Sequence, residues 1–115
     1  LLQDIGNALE RSTADAQQAI TWLLTVAPED PRHTAAAAVP VMLLLGTLLG
    51  GHQMARAAHL SVSRLADPAH DHAFYDAKLK TAWHYAEAIL PRTSSLLTAV
   101  THGSRTVMAL SREQL

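Results

Sequence analysis

The stretch that decides the fold is Val39–Ala58, VPVMLLLGTLLGGHQMARAA, in which Arg56 is the one charged residue with histidine counted as neutral. Its first half is apolar on every side of a helix, and its second half becomes amphipathic. A helix that is apolar all round must be buried on all sides, in protein or in lipid. The stretch is therefore predicted to be either the central helix of something larger than this chain or a membrane segment.

The length of the apolar run bears on the choice between protein and lipid. Ala35–Gly51 contains 17 uncharged residues, which as a helix span about 25 Å against roughly 30 Å of hydrocarbon. The run includes Pro40, and the segments on both sides of it have polar faces suited to water. The Gly46-x-x-x-Gly50 spacing would suit a membrane dimer. We nevertheless expect close packing in a protein assembly and no membrane span.

Composition bounds the class of protein. A chain of 115 residues is expected to be one domain. Charged residues make up 17% of the chain, below the usual ~25%, so we expect part of the surface to be covered. The net charge of −1 with scattered basic residues gives no nucleic-acid footprint. The absence of cysteine fits a cytoplasmic protein. The chain begins inside a helical pattern, so we expect it to be a piece of a longer protein.

The first two helices are predicted from apolar spacing and from proline. Residues 1–27 form the first helix, which Pro28 ends because the residue before a proline disfavours the α region. Its stripe is spaced by three and four residues: Leu2, Ile5, Leu9, Ser12, Ala16, Ala19, Leu23 and Val26. Asp30 followed by Pro31 is a helix start, and the second helix runs to about Leu65. Pro40 predicts a kink or a break within it.

The second helix offers two apolar lines. The first line is Val41, Leu45, Leu48, His52, Ala55, His59, Val62 and Ala66. The second line, apolar early and mixed later, is Met42, Gly46, Leu49, Gln53, Arg56, Leu60 and Ser63. Glycines inside a helix each cost about 1 kcal/mol relative to alanine. The cluster at Gly46, Gly50 and Gly51 is therefore predicted to be a place where another backbone packs very close.

A third helix is predicted from about His70 to Thr101, with Asp67 or Asp71 as its cap and a kink at Pro91. Its stripe is Tyr75, Leu79, Ala82, Ala86, Ile89, Thr93, Leu96 and Val100. Gly103 is predicted to end this helix as its C′ residue.

The end of the chain and the connections complete the fold prediction. Residues 104–110 are expected to form a short fourth helix, followed by a capping box between Ser111 and Gln114. No strand pattern is present, and short connections make neighbouring helices antiparallel. The predicted fold is all-α, an up-down bundle of three long antiparallel helices plus a short C-terminal helix.

Seven histidines raise the hypothesis of a metal site. His52 and His59 share a stripe but lie about 10 Å apart along a helix. His70 and His72 form a close pair near a helix start, but zinc needs a third or fourth ligand. We therefore predict no metal site, and capping or solvated roles for these histidines.

Acid–base chemistry has one candidate pair. His84 and Glu87 are three residues apart and so adjacent on a helix face. Such a pair is usually a surface pair, and no nucleophile–base or phosphate-binding motif accompanies it. We therefore assign no catalytic role to either residue.

Two stretches carry a resemblance to a known family. Val41–Ala58 resembles an LxGxxxGGW-like stretch followed by Ala-Arg, and Ala73–Leu97 contains FYDAKLKTAWHYAEAILP. Both are similar to the C-terminal helical extension of one branch of the flavin-dependent acyl-CoA dehydrogenases. The matching residues are Leu44, Gly46, Gly50, Gly51, Ala55 and Arg56, then Phe74, Tyr75, Lys78, Ala82, Tyr85, Ala86, Glu87, Leu90 and Pro91. His52 departs from the family, which often has Trp there.

The resemblance implies a place in an oxidoreductase of fatty acid metabolism. In that family the catalytic glutamate and the flavin- and CoA-binding motifs lie upstream, so no catalytic or cofactor-binding residue is expected here. FAD and the acyl-CoA substrate belong to the parent protein. The domain is expected to pack on the dehydrogenase body, at the substrate entrance or a subunit interface of a homo-oligomer. The alternative is a self-standing helical module that dimerises through its second helix.

Either reading needs a contact surface on the second helix, because large exposed apolar patches are uncommon on monomers. The residues predicted to form the packing or interface surface are Met42, Leu43, Leu44, Gly46, Leu49 and Gly50.

Overall fold

The computed structural model describes residues 1–115 and contains α-helices and no strand. The α-helices are α1 (Leu2–Val26), α2 (Arg32–Leu65), α3 (His72–His84) and α4 (Arg92–Met108). A π-helical turn (Tyr85–Ile89) follows α3, and a 3-10 turn (Arg112–Gln114) follows α4. The all-α prediction is confirmed.

The predicted third helix is present as one long, interrupted helix made of α3, the π turn and α4. Leu90 and Pro91, which join the π turn to α4, both keep right-handed helical φ and ψ. Pro91 has no N–H, so it cannot continue the α-helical hydrogen bonds. The Leu90 N–H instead bonds to the Tyr85 carbonyl at 3.0 Å. The α-helical hydrogen bonding is therefore interrupted at Pro91, where a kink was predicted, and a π turn precedes the proline.

Helix α2 lies at the centre and contacts α1, α3 and α4, while α1 also packs against α4. The bundle is long and flat, with Cα extents of 67 × 26 × 16 Å. Its core has two clusters. The first is Ile5, Ala8, Ala58, Leu79, Ala82, Ala86 and Leu90. The second is Ala16, Ala19, Ala37, Leu44 and Val100. Many of these side chains are alanine, which lets the helices approach closely.

The helix starts follow the predicted acidic residues. The Asp30 carboxylate accepts a hydrogen bond from the Arg32 backbone N–H at 3.0 Å. The Asp71 carboxylate caps α3 by accepting from the Phe74 N–H at 3.1 Å. Pro40 lies inside α2, which continues through it as one helix. The alternative of two abutting helices at Pro40 is therefore wrong.

A buried polar cluster joins α1 to the interruption at Pro91. The Ser12 hydroxyl donates to the Leu90 carbonyl at 3.2 Å. The Thr93 hydroxyl lies 3.1 Å from Ser12 Oγ and 2.8 Å from the Asp15 carboxylate. Buried polar groups need partners, and here the hydroxyl groups meet a carbonyl whose helical bonding is disturbed. Ser12, predicted on the apolar stripe of the first helix, is buried for this reason.

The end of α4 differs from the prediction. Gly103 does not end the helix, because its φ is not positive and α4 continues to Met108. The buried Ser104 side chain lies 2.9 Å from the His33 ring of α2, a contact that holds one more turn of α4 against the bundle. Residues 104–110 are therefore not a separate helix. The predicted capping box is confirmed, with the Ser111 N–H bonded to Gln114 Oε1 at 2.8 Å.

Candidate interaction surface

The face of α2 that points away from the other helices carries a regular stripe of exposed residues. We name it the outer stripe, and its spacing alternates between three and four residues. Its members are Val39, Met42, Gly46, Leu49, Gln53, Arg56 and Leu60. Apolar residues repeating at this spacing form the seam of a helix that packs lengthwise against another element. The seven positions are all exposed in this chain.

The apolar members of the outer stripe are among the most exposed large side chains in the protein. Val39, Met42 and Leu49 are 62%, 64% and 63% exposed. Only 17% of the most apolar 18-residue window of α2 is buried, and by length and composition alone this helix could cross a membrane. A Cβ at Gly46 would meet nothing within 4 Å. The middle of the outer stripe is thus an open, flat surface with no packing partner inside the chain.

The opposite face of α2 is filled by the interrupted helix. A Cβ built at Gly51 would lie 2.5 Å from Leu90 Cδ2, and one built at Gly50 would overlap the Tyr85 hydroxyl. With no Cβ in the way, the Tyr85 hydroxyl reaches the Thr47 carbonyl and donates to it at 2.9 Å. Gly50 and Gly51 therefore leave room for the side chains of Tyr85 and Leu90. The prediction that another backbone packs there is wrong within this chain.

The predicted packing and interface residues divide between these two faces. Leu44 is 1% exposed and belongs to the core, and Gly50 meets Tyr85. Met42, Gly46 and Leu49 lie on the outer stripe, and Leu43 is exposed beside it. The set thus contains packing residues and candidate interface residues. Val39 and Leu60, also on the outer stripe, were missed as interface candidates, although the same three-and-four spacing reaches them.

The first apolar line predicted for the second helix is half correct, because Val41, Leu45, Leu48 and Ala55 are partly buried and pack against the core. His52, His59, Val62 and Ala66 are exposed. The buried positions of α2 are Ala37, Leu44, Gly51, Ala58 and Ser61. Because the first half of this helix is apolar on every side, hydrophobicity alone did not select the buried face there. The close approach of Leu90 to Gly51 did, since small residues are needed there.

A shallow groove follows the contact between α1 and α2, next to the outer stripe. One part, of about 320 Å³, is lined by Leu9, Thr13, Leu48, Leu49 and His52. The other part, of about 600 Å³, is lined by Leu9, His52, Ala55, Arg56, His59, Leu60 and Ser63. Leu9 and His52 belong to both parts, so the groove is continuous. Its walls are apolar at one end and basic at the other.

Arg56 is the one charged side chain on the outer stripe, and no carboxylate of this chain pairs with it. Its guanidinium has a single long hydrogen bond, 3.4 Å to Gln53 Oε1. The ion pairs that the chain does form lie elsewhere, at Leu1–Asp4, Arg32–Asp30, His70–Asp67 and Lys80–Asp76. An acidic group on a bound partner would find Arg56 available.

The remaining histidine candidates sit apart from one another. His70 Nε2 is 3.0 Å from the Arg64 guanidinium and 3.5 Å from the Asp67 carboxylate. The positively charged Arg64 side chain therefore already lies next to this nitrogen. His72 is exposed at the start of α3. No group of three or more His, Cys, Asp or Glu side chains comes together.

The pair considered for acid–base work is also dispersed on the surface. His84 is the last residue of α3 and Glu87 lies in the π turn. Both are exposed, and neither lines a cavity. Around an exposed carboxylate outside any cavity, no neighbouring groups are in place to orient a substrate, so the structure does not point to a reaction at Glu87.

One carboxyl group in the chain has a clearly altered pKa. The hydrogen bonds from the Arg32 side chain, and then from its backbone N–H, lower the pKa of Asp30 to about 2. Asp30 precedes α2 and is distant in sequence from the outer stripe, so this shift reflects the start of the helix.

Comparison with known proteins gives one match. The model of the family described as "Acetyl-CoA dehydrogenase C-terminal like" matches residues 1–111. No curated protein and no solved structure matches the chain. The match covers all four helices and the outer stripe.

Proposed function

We propose that this chain, which belongs to the acetyl-CoA dehydrogenase C-terminal-like family, is the C-terminal accessory domain of an FAD-dependent acyl-CoA dehydrogenase. In this proposal it packs on the dehydrogenase body of the same protein through the outer stripe of α2. The observation that carries the proposal is the exposed part of the outer stripe from Val39 to Gln53, which is uncharged and mostly apolar and contains Gly46.

The energetics favour covering this face. Fully burying a Val, Leu or Met side chain stabilises by about 1.5–3 kcal/mol relative to leaving it exposed. Val39, Met42 and Leu49 are each exposed by more than 60%, so a partner that buries them is stabilised by several contributions of this size. Gly46 adds no side chain and lets the partner approach the α2 backbone. Arg56 would then pair with an acidic group of the body, because a buried lone charge is costly.

The role of the domain is structural in this proposal. FAD and the acyl-CoA substrate would be bound by the body, and the domain would shape the substrate entrance or a subunit interface of a homo-oligomer. The family match supports this division, because the match is to the C-terminal region of such proteins. The absence of cysteine supports a cytoplasmic location for the parent protein.

The deciding experiment uses the natural full-length protein and a matched pair of variants. Leu49→Arg places a charge on the outer stripe, and Ala99→Arg places one on an exposed position of α4. We expect Leu49→Arg to lower the Tm of the full-length protein and to weaken its affinity for FAD, while Ala99→Arg changes neither. The 115-residue chain alone should tolerate both changes equally. Equal behaviour of the two variants in the full-length protein, or an upstream sequence with no dehydrogenase body, would contradict the proposal.

The second candidate is a self-standing module that dimerises through the same stripe. The three-and-four spacing favours it, since two such stripes can pack against each other. Sedimentation of the 115-residue chain distinguishes the two: a dimer lost in Leu49→Arg but kept in Ala99→Arg supports the module. For the accessory domain we expect the isolated chain to retain no FAD and to oxidise no acyl-CoA with an artificial acceptor.

A further inference from the structure

A second surface feature, separate from the outer stripe, is a cavity between α1, α2 and α4. Its volume is about 440 Å³, within the ~300–1,000 Å³ typical of small-molecule sites. It is lined by Gln18, Trp22, Val26, His33, Thr101, His102 and Arg105. None of these residues belongs to the outer stripe or to the α1–α2 groove.

The charge of this cavity has one sign. Arg105 is its permanent charge, and the Arg105 guanidinium makes no hydrogen bond or ion pair with another residue of the chain. No aspartate or glutamate lines the cavity. Asp30, which precedes α2, is bound to Arg32 at 2.7 Å and so does not neutralise it. The cavity therefore presents a free guanidinium to an anion.

Hydrogen-bond accounting assigns a second donor to the cavity. The Ser104 hydroxyl is buried, and His33 Nδ1, 2.9 Å away, is its one partner. A buried hydroxyl proton needs an acceptor, so Ser104 donates to Nδ1. A neutral imidazole that accepts at Nδ1 carries its proton on Nε2. His33 thus has an Nε2–H that no group of the chain accepts, and its ring lines the cavity.

Trp22 supplies a flat wall. Its ring meets the His33 ring edge-on, with centroids 5.8 Å apart, and this contact holds both rings in place. Tryptophan beside basic donors is suited to a ligand that joins an apolar ring to an anionic group, because the ring packs on the indole while the anion faces the donors.

We propose that this cavity binds a small aromatic phosphate. The phosphate oxygens accept hydrogen bonds from the Arg105 guanidinium and from His33 Nε2–H, and the aromatic part packs against Trp22. Phosphate suits the site better than a carboxylate because its three oxygens can meet donors from α2 and α4 together. The proposal does not depend on how the outer stripe is covered.

The test follows ligand binding by the fluorescence of Trp22. The chain has two tryptophans, so Trp83→Phe leaves Trp22 as the single tryptophan, and excitation beyond the tyrosine absorption band isolates its fluorescence. Phenyl phosphate is the probe, and we expect a saturable change in Trp22 fluorescence. Arg105→Gln should weaken the apparent affinity about tenfold or more, since it removes a hydrogen bond to a charged group. Arg92→Gln, at the other end of the same helix, should leave it unchanged.

The fluorescence experiment can overturn the proposal in two ways, by the form of the response or by the effect of the variants. One is a fluorescence change that does not saturate, or that phenol produces as strongly as phenyl phosphate. The other is an equal loss of affinity in Arg105→Gln and Arg92→Gln. A nitrogen-15 NMR spectrum of His33 gives an independent readout. We expect the proton on Nε2 in the free protein and a shift of this resonance when phenyl phosphate is added. A proton on Nδ1 would also count against the assignment.

Discussion

Two faces of α2 carry apolar residues, but one is buried inside this chain and the other is exposed. On the inner face, Gly51 receives Leu90 and Leu44 is buried. On the outer face, Gly46 meets nothing and Leu49 remains exposed. The neighbours of the glycines show which face this chain covers itself. The exposed face is the one to which we assign a partner in the proposed function.

The largest expected contrast between the faces comes from truncating one leucine on each. Leu44→Ala should destabilise the chain by about 2–5 kcal/mol, because it empties a fully buried site. Leu49→Ala should change the free energy of unfolding by no more than about 0.5 kcal/mol, as expected of an exposed position. Urea unfolding of the two variants measures both values. Similar losses in the two variants would mean that the outer stripe is already covered in the isolated chain.

The two glycines give a smaller contrast. Both alanine variants gain about 1 kcal/mol of helix propensity, but Gly51→Ala also pushes a Cβ into Leu90. Overpacking of this kind costs about 1–3 kcal/mol, so the Tm of Gly51→Ala should fall below that of Gly46→Ala. We expect Gly46→Ala to melt above the wild-type chain. A lower Tm for Gly46→Ala would indicate that a second copy already packs there.

The sequence predicted the fold well where local signals and packing agree. The stripe of the first helix, the Asp30 and Asp71 starts and the interruption at Pro91 all depend on spacing or on residues with one strong preference. The stripe from Tyr75 to Val100 is likewise confirmed, since all of its members are buried or partly buried.

The prediction failed where local signals are ambiguous or are overridden. The three-and-four spacing assigned His52 and His59 to the packing stripe of α2, and they are exposed. Gly103 is a good helix end in isolation, but the Ser104–His33 contact keeps the helix going. The π turn at Tyr85–Ile89 has no sequence signature beyond Pro91. These features depend on side-chain contacts between helices, which spacing along the sequence does not reveal.

A hydrogen bond on the inner face offers the next contrast. Tyr85→Phe removes the hydroxyl that donates to the Thr47 carbonyl. The carbonyl keeps its place in the α2 ladder, so the loss should be the net value of one hydrogen bond, about 0.5–1.5 kcal/mol. Tyr75→Phe is the matched control, since the Tyr75 hydroxyl has no hydrogen-bond partner in the chain. Thermal unfolding of both variants should show a lower Tm for Tyr85→Phe alone.

The smallest expected effect lies at the start of α2, which belongs to neither face. Arg32 holds the pKa of the Asp30 carboxyl at about 2 in the folded chain, below the ordinary value of 3.8. A carboxyl whose pKa is depressed by folding stabilises the fold above its unfolded pKa and loses that contribution as pH falls through the folded value. The contribution is therefore complete above about pH 4 and disappears towards about pH 2.

The variant Arg32→Gln tests this contribution at its source. It removes the side-chain hydrogen bonds to Asp30, which are the largest cause of the lowered pKa, but keeps the backbone N–H that also lowers it. The carboxyl-carbon NMR titration of Asp30 should therefore move upward in the variant while staying below 3.8. Because the pair lies at the surface with Arg32 exposed, the accompanying stability difference should be slight at neutral pH and absent near pH 2, within the range usual for surface ion pairs. An unchanged Asp30 titration in Arg32→Gln would assign the lowered pKa to the helix start itself, and the ion pair would then have no part in setting where α2 begins.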